Sequence, residues 1–175
     1  MKMEKIEIDI DQRFVDYLDN LLADNTAALA ALRRGNTMRP GECSDMYRYV
    51  VPWIGEKTSK WTETVYYIVA GLYALNKTKS SDVAENFGGV VASMTRDDNR
   101  AAMEKRFQIL ITSHRDDVHI YLRQIIQMMK DVPINWVKLI KDLKSWNTDT
   151  QRVQRFWAKS FWSLIKKAPE ESDKK

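Results

Sequence analysis

Hydrophobic residues recur at intervals of three and four along most of the chain, which is the spacing produced by one face of an α-helix. The first such run begins near Ile10, and similar runs continue into the last quarter of the sequence. Residues with helix-boundary preferences flank several runs: Asn25 and Ser59 suit N-caps, and Gly35 suits a C-terminal stop. No segment shows a convincing alternation of polar and apolar residues such as a half-buried strand has. The pattern predicts an all-α fold.

The charged stretch RDDN at 96–99 falls between two sets of predicted helices. It predicts two small packed helical bundles, an N-terminal helical bundle over residues 1–95 and a C-terminal basic helical bundle over residues 96–175. Ser44 and Asp45 suit the cap of a short helix, and Asp82 suits the start of a helix.

The Gly88-Gly89 pair predicts a close approach between helices or a kink. No strand precedes this pair, which argues against a phosphate-binding loop.

Two helices predicted within residues 136–167 each combine an apolar stripe with a basic one. The apolar stripes are Trp136, Leu139, Ile140, Leu143 and Trp146 in the first helix, and Val153, Phe156, Trp157, Phe161 and Leu164 in the second. The basic stripes are Lys138, Lys141 and Lys144, and Arg152, Arg155, Lys159 and Lys166. Each helix is therefore predicted to pack its apolar side and present cations to the surroundings.

Charge is distributed unevenly along the sequence. Between Arg123 and Lys167 there are ten Lys and Arg residues, three Asp residues and no Glu, whereas the first 24 residues carry a net charge of −4. A solvated helix usually interleaves Glu with Lys, so the missing acids favour a polyanion partner such as nucleic acid over a merely solvated face. The acidic start is expected to face water or a basic neighbour.

Catalytic and metal-binding patterns are missing from the sequence. His114 and His119 are five residues apart, which does not match a helical zinc pair, and no Gly-rich phosphate loop or Cys/His cluster occurs. We expect no enzyme activity, no cofactor and no metal. Cys43 is the single cysteine, which fits a reducing cytoplasm, and the longest apolar stretch, at 65–75, is too short to span a membrane.

An ordered series of eight segments resembles the CasB family, the small subunit of the type I-E CRISPR Cascade complex. The segments are LRRG at 32–35, YRYVVPWI at 47–54, YYIVAGLYAL at 66–75, NFGGVVASM at 86–94, EKRFQILITSHRDD at 104–117, LRQIIQMMK at 122–130, PINWVKLIKDLKSWN at 133–147 and RVQRFWAKSFW at 152–162. The resemblance covers about residues 25–165.

The resemblance implies a non-catalytic, all-α subunit of an RNA-guided surveillance complex that acts in antiviral defence. It implies as partners the backbone subunit CasC, the large subunit CasA, guide RNA, target DNA and a second copy of the chain. Guide pairing would read the sequence, and basic residues of this subunit would hold backbone phosphates and stabilise the R-loop.

The resemblance also implies which residues contact nucleic acid. Matching basic positions are Arg33, Arg34, Lys105, Arg106, Arg115, Arg123, Lys144 and Arg152; the basic stripe adds Arg155. The family often has Arg where this chain has Lys105 and Gln124, so those two contacts depart from its pattern.

Other interpretations remain open for some of these residues. Arg33 and Arg34 could offset a helix dipole instead, and Arg106 could pair with Asp98 or Asp142. Trp136, Trp157 and Phe161 are expected in the core, which leaves Trp146 and Trp162 as aromatic candidates for a partner surface.

Two other functions also fit the charge pattern. One is a stand-alone, non-specific RNA- or single-strand-binding protein, which would bind tightly alone. The other is a scaffold whose basic stripe docks on an acidic protein. Binding inside an assembly and weak binding alone would favour the Cascade subunit.

Overall fold

The computed structural model describes residues 9–78 and 85–166, and these residues form nine α-helices. The helices are α1 (Ile10–Asp24), α2 (Thr26–Gly35), α3 (Tyr47–Val50), α4 (Lys60–Leu75), α5 (Phe87–Ser93), α6 (Arg100–Thr112), α7 (Val118–Ile126), α8 (Trp136–Lys144) and α9 (Arg152–Ile165). Within the described ranges no strand extends beyond an isolated bridge residue, Ile134. The prediction of an all-α fold is confirmed.

Side-chain caps fix several helix starts. The Asn25 side chain accepts a hydrogen bond from the Ala28 amide at 2.9 Å, and the Ser59 hydroxyl accepts one from the Thr62 amide at 3.1 Å. Both bonds satisfy amides that have no partner within the first helical turn. The predicted caps of α2 and α4 are therefore confirmed.

The start of α3 differs from the prediction. Ser44 and Asp45 lie inside a 3-10 turn, Ser44–Met46, and α3 begins directly after it without a side-chain cap. The prediction that these two residues cap the helix is wrong, because the tight turn already supplies the preceding hydrogen bonds.

Helix α4 is the buried centre of the fold, with every residue from Val65 to Ala74 buried. It packs against α1, α2, α7 and α8. Its two inward tyrosines donate to acids on α1: Tyr66 to Asp11 at 2.8 Å and Tyr73 to Asp19 at 2.7 Å. Burial raises the pKa of both hydroxyls further above the ordinary value of 10.0, which favours the protonated form that donates to the carboxylates.

Helices α5 and α9 pack backbone to backbone. A Cβ on Gly88 would lie 2.1 Å from the carbonyl oxygen of Trp157, so only glycine permits this contact. The predicted close approach is confirmed. Asn86 caps α5, and Asp82, predicted to open this helix, lies outside the described residues. The division into two bundles between residues 95 and 96 stays a prediction. Helix α5, which precedes this boundary, packs on α9, which follows it.

The C-terminal helices confirm most of the predicted core. All five inward residues predicted for α8 are buried, including Trp146, which the sequence suggested for a partner surface and which therefore does not fit that role. On α9 the predicted inward stripe is partly wrong: Phe156 is 53% exposed and Leu164 42% exposed. Gln154 and Ile165 are buried in their place, so the buried face is rotated slightly around the helix.

Helix α7 ends at Ile126 and is followed by turns. Met128, in these turns, is 43% exposed. The chain then reverses through Asp131, whose φ of 58° lies in the left-handed region, and enters α8.

Candidate nucleic-acid interface

A groove of about 630 Å³ lies between α8 and α9 and carries the densest basic lining. We call it the α8–α9 groove. Its lining residues are Lys141, Asp142, Ser145, Arg152, Val153, Arg155, Phe156 and Lys159. Four of these eight are cations and one is an acid, so the groove has the electrostatic character of an anion site.

The loop between α8 and α9 is held by hydrogen bonds to the Asn147 side chain. The Asn147 side chain accepts hydrogen bonds from the Asp149 and Thr150 amides at 2.8 and 2.9 Å. Gln151 then takes a left-handed conformation, with a φ of 48°, and α9 begins at the next residue. The Arg155 guanidinium donates to the Thr150 carbonyl at 2.9 Å, which holds this cation over the first turn of α9.

Asp142 is the one acid that lines the α8–α9 groove, and its carboxylate accepts a hydrogen bond within the protein. The Trp157 indole donates to it at 2.7 Å, which ties α9 to α8. Burial raises the pKa of Asp142, while the indole hydrogen bond and nearby Lys138 oppose that rise. Among the described residues, Arg152, Arg155 and Lys159 form no ion pair with any carboxylate.

Two lysines of α8 bind the acidic start of α1 instead. Lys141 lies 2.5 Å from Asp9, with both side chains well exposed, and this contact lowers the pKa of Asp9 and raises that of Lys141. Lys144 lies 2.5 Å from Asp11, whose side chain is only 5% exposed. Of the two surroundings expected for the acidic start of the chain, water or a basic neighbour, Asp9 and Asp11 have the basic neighbour, which is α8.

Lys144 is further enclosed by Tyr66. Its ammonium lies 3.2 Å from the Tyr66 hydroxyl and 4.8 Å from the centre of that ring. These contacts, together with Asp11, occupy the donors of a side chain that is only 24% exposed. Lys144, predicted to contact nucleic acid, therefore ties α8 to α1 and α4 in this structure and does not line the α8–α9 groove.

Three predicted contact residues lie where the ends of α2 and α4 meet α7, and each has a partner in the protein. Arg33 donates to the Ala74 carbonyl at 3.0 Å, Arg123 donates to the Asn36 carbonyl, and Arg34 pairs with Asp45. The guanidinium groups of Arg33 and Arg123 therefore satisfy carbonyls at helix ends, as the dipole alternative for Arg33 allowed.

Arg115 lies at a second, wider groove of about 790 Å³, with its guanidinium 5.6 Å from the centre of the Trp61 ring. The lining mixes signs: the cations are Arg39, Lys60 and Arg115, and the acids are Glu42, Glu63, Asp116 and Asp117. Mixed charge makes this groove a weaker anion site than the α8–α9 groove.

Lys105 and Arg106 lie on α6, which packs against α9. Arg106 donates to the Ala102 carbonyl of its own helix at 3.4 Å, and none of the described carboxylates pairs with it. The alternative pairing with Asp98 or Asp142 is not observed. Lys105 is exposed.

His119 is half-buried at the edge of the wider groove, and burial first, then the charge of Arg123, lowers its pKa. The imidazole is therefore neutral at pH 7. Over the described ranges no cluster of His, Cys, Asp and Glu has the arrangement of a metal site. The described helices also include none with the length and apolar character needed to cross a bilayer.

The sequence reasoning missed the roles of Arg39 and Lys60 at the wider groove and of Phe156 at the α8–α9 groove. Arg39 lies in the loop after α2, where no helical period could place it. The exposure of Phe156 has no sequence signal, since its spacing from Val153 and Trp157 fits the buried stripe.

Comparison with known proteins agrees with this architecture. Residues 28–162 match the family model described as CRISPR-associated protein Cse2. A CRISPR-associated protein Cse2 from Thermus thermophilus is 32% identical over 167 residues, which is 94% of this chain and 95% of that protein.

Solved structures are similar over nearly the whole described fold. CasB from Thermus thermophilus is 29% identical with a TM-score of 0.76, over 87% of this chain and 97% of that one. A chain of a CRISPR RNA-guided surveillance complex is 25% identical with a TM-score of 0.75, over 90% of this chain and 94% of that one. The predicted resemblance is confirmed, and the chain belongs to the CRISPR-associated Cse2 family, whose members include CasB.

Proposed function

We propose that this chain is a non-catalytic small subunit of the type I-E Cascade complex, and that it holds nucleic-acid backbone to stabilise target DNA in the R-loop. The α8–α9 groove carries the proposal, because four cations converge there and its one acid is engaged by Trp157. Membership of the Cse2 family and the similarity to a chain of an RNA-guided surveillance complex support it. CasC, CasA, guide RNA and a second copy of this chain are the proposed partners.

The proposed contacts divide by how the fold already uses each cation. Arg152 and Arg155 form the proposed centre. The proposed additional contacts are the exposed Arg115 and the α6 pair Lys105 and Arg106. Arg33, Arg34 and Arg123 are proposed as secondary contacts, because partners from other parts of the chain hold them in this structure. Arg106 and Arg155 bond only a carbonyl of a nearby residue.

Backbone contact has a quantitative signature. Each phosphate neutralised by a cation releases condensed counterions, so log affinity falls against log salt by about 0.7 per contact on a single strand and about 0.9 on a duplex. Arg152→Ala and Arg155→Ala should each reduce that slope by about one contact, with affinity falling for every sequence alike. Lys57→Ala removes an exposed cation from a loop outside the groove and serves as the matched control.

The experiment measures binding of labelled oligonucleotides to the purified chain across a salt series, and then DNA release from the assembled complex carrying the same variants. We expect weak binding by the free chain and faster release from complexes with either Arg variant. Unchanged slopes in both Arg variants, or discrimination between unrelated sequences by more than about tenfold, would overturn backbone contact. Tight binding by the free chain would favour the stand-alone single-strand-binding alternative.

A further inference from the structure

Phe156 is an exposed aromatic side chain set among cations. It lines the α8–α9 groove with 53% of its surface exposed, although Val153 and Trp157, which belong to the same predicted stripe of α9, are buried. Arg152 and Lys159 lie four residues before and three after it, so all three share one side of the helix. Along the helix axis their Cα atoms lie about 6 Å before and about 4.5 Å beyond the Cα atom of Phe156.

We propose that the Phe156 ring is a stacking platform for an unpaired nucleobase, which makes the α8–α9 groove selective for single-stranded nucleic acid. The inference rests on the proposed backbone contact and adds the class of strand. Aromatic rings that alternate with cations bind single strands by combining base stacking with phosphate attraction. A duplex keeps its base faces inside its own stack, so the ring can contact only a base that has been unpaired.

Charge complementarity favours nucleic acid over a protein as the occupant. Four of the eight lining residues are cations, whereas the buried centre of a protein–protein interface is depleted of charge. The three α9 cations form no ion pair with the described carboxylates, so they are available to phosphates on both sides of the ring. The one acid is turned to the Trp157 indole.

The test compares a thymidine oligonucleotide with an abasic strand of the same length and charge, both bound to the purified full chain at one low salt concentration. Stacking of one base predicts that the wild-type chain binds the thymidine strand about fivefold to tenfold more tightly. Phe156→Ala should remove that ratio and leave the salt slope unchanged, because the phosphate contacts persist. Phe156→Tyr should keep the ratio, and Phe156→Leu should lose most of it.

Leu164→Ala is the matched control, since Leu164 is a similarly exposed apolar residue of α9 that does not line the groove. It should behave as wild type. Equal affinity of the wild-type chain for both strands, or a ratio that survives Phe156→Ala, overturns the stacking proposal while the salt slope still reports backbone contact. If Phe156→Ala instead impairs only assembly of the complex, the ring contacts a protein subunit and the proposal is wrong. A salt dependence of binding that is unchanged by both Arg152→Ala and Arg155→Ala counts against the proposed function itself.

Discussion

Removing the ammonium of Lys144 should destabilise the fold far more than removing the ammonium of Lys141 on the same helix. Lys144→Met keeps most of the apolar stem but leaves the Asp11 carboxylate, 5% exposed, without its ion-pair partner. Losing one partner of a fully buried pair costs about 3–5 kcal/mol. Because 24% of the Lys144 side chain is exposed, water screens part of the interaction, and we expect about 2–3 kcal/mol.

The assay is urea unfolding followed by far-UV circular dichroism, together with a thermal melt. For a chain of this size each kcal/mol lowers Tm by about 2–4 °C, so Lys144→Met should lower Tm by about 4–12 °C. Lys141→Met is the control: its pair with Asp9 is 56% and 40% exposed, and such pairs contribute at most about 1 kcal/mol. Adding Asp11→Asn to Lys144→Met should recover part of the loss, because no buried charge is then left unpaired.

The reasoning is refuted if the two lysine variants differ in free energy of unfolding by less than about 0.5 kcal/mol, since exposed pairs alone would give that result. Oligonucleotide binding provides the second readout. Because Lys144 is held by Asp11 and Tyr66, Lys144→Met should leave the salt slope of DNA binding unchanged.

Three further predictions concern the α8–α9 region and its packing on α5. Gly88→Ala should cost about 2–3 kcal/mol in urea unfolding because its Cβ would strike the backbone of α9, whereas Gly55→Ala, whose Cβ would meet only the Thr58 hydroxyl at an ordinary 3.5 Å, should stay within about 0.5 kcal/mol. Trp157→Ala should cost about 3–5 kcal/mol in the same assay, and a loss below about 1 kcal/mol would contradict its burial. Asp142→Asn should gain stability relative to wild type as pH rises from about 4 to 7. In the wild-type chain the pKa of Asp142 is raised in the folded state, so the protonated carboxyl favours folding at a pH below the ordinary value of 3.8. The wild-type chain loses that contribution as the pH rises through the folded-state pKa, whereas the amide of Asn does not titrate. A stability difference independent of pH would contradict this prediction.

Helical periodicity is sufficient to predict the fold class because most helices here bury one stripe. The five inward residues of α8 are all predictable, and so are the caps Asn25 and Ser59, since both signals are local in sequence. The stripe of α9 is predicted less well. An apolar residue at the edge of a stripe is buried only if another helix covers it, and Phe156 and Leu164 remain 53% and 42% exposed.

The candidate site shows the same limit more strongly. The sequence identifies a region rich in cations, and the structure places Arg152 and Arg155 of that region in one groove. The sequence cannot show which cations are already held by partners within the protein, because those partners are distant in sequence. Asp11 lies 133 residues from Lys144, and Asn36 lies 87 residues from Arg123. Those pairings depend on tertiary contacts, which no spacing rule within one helix contains.

Net charge alone therefore overstates the anion-binding surface of this chain. Each cation held by a carboxylate, or by a carbonyl from a distant part of the chain, contributes to the fold, and a phosphate could recruit it only by replacing that contact. On α8, Lys144 forms an ion pair with Asp11 and Lys141 forms one with Asp9. The acidic start of α1 therefore neutralises part of the positive charge of the helix that lines one wall of the groove. Within the α8–α9 groove, the cations without an ion pair among the described carboxylates are Arg152, Arg155 and Lys159, all on α9, the helix that exposes Phe156. The proposed phosphate contacts and the proposed base stacking would thus act on one helix, α9, as in proteins that hold an unpaired strand by combining a basic groove with aromatic rings.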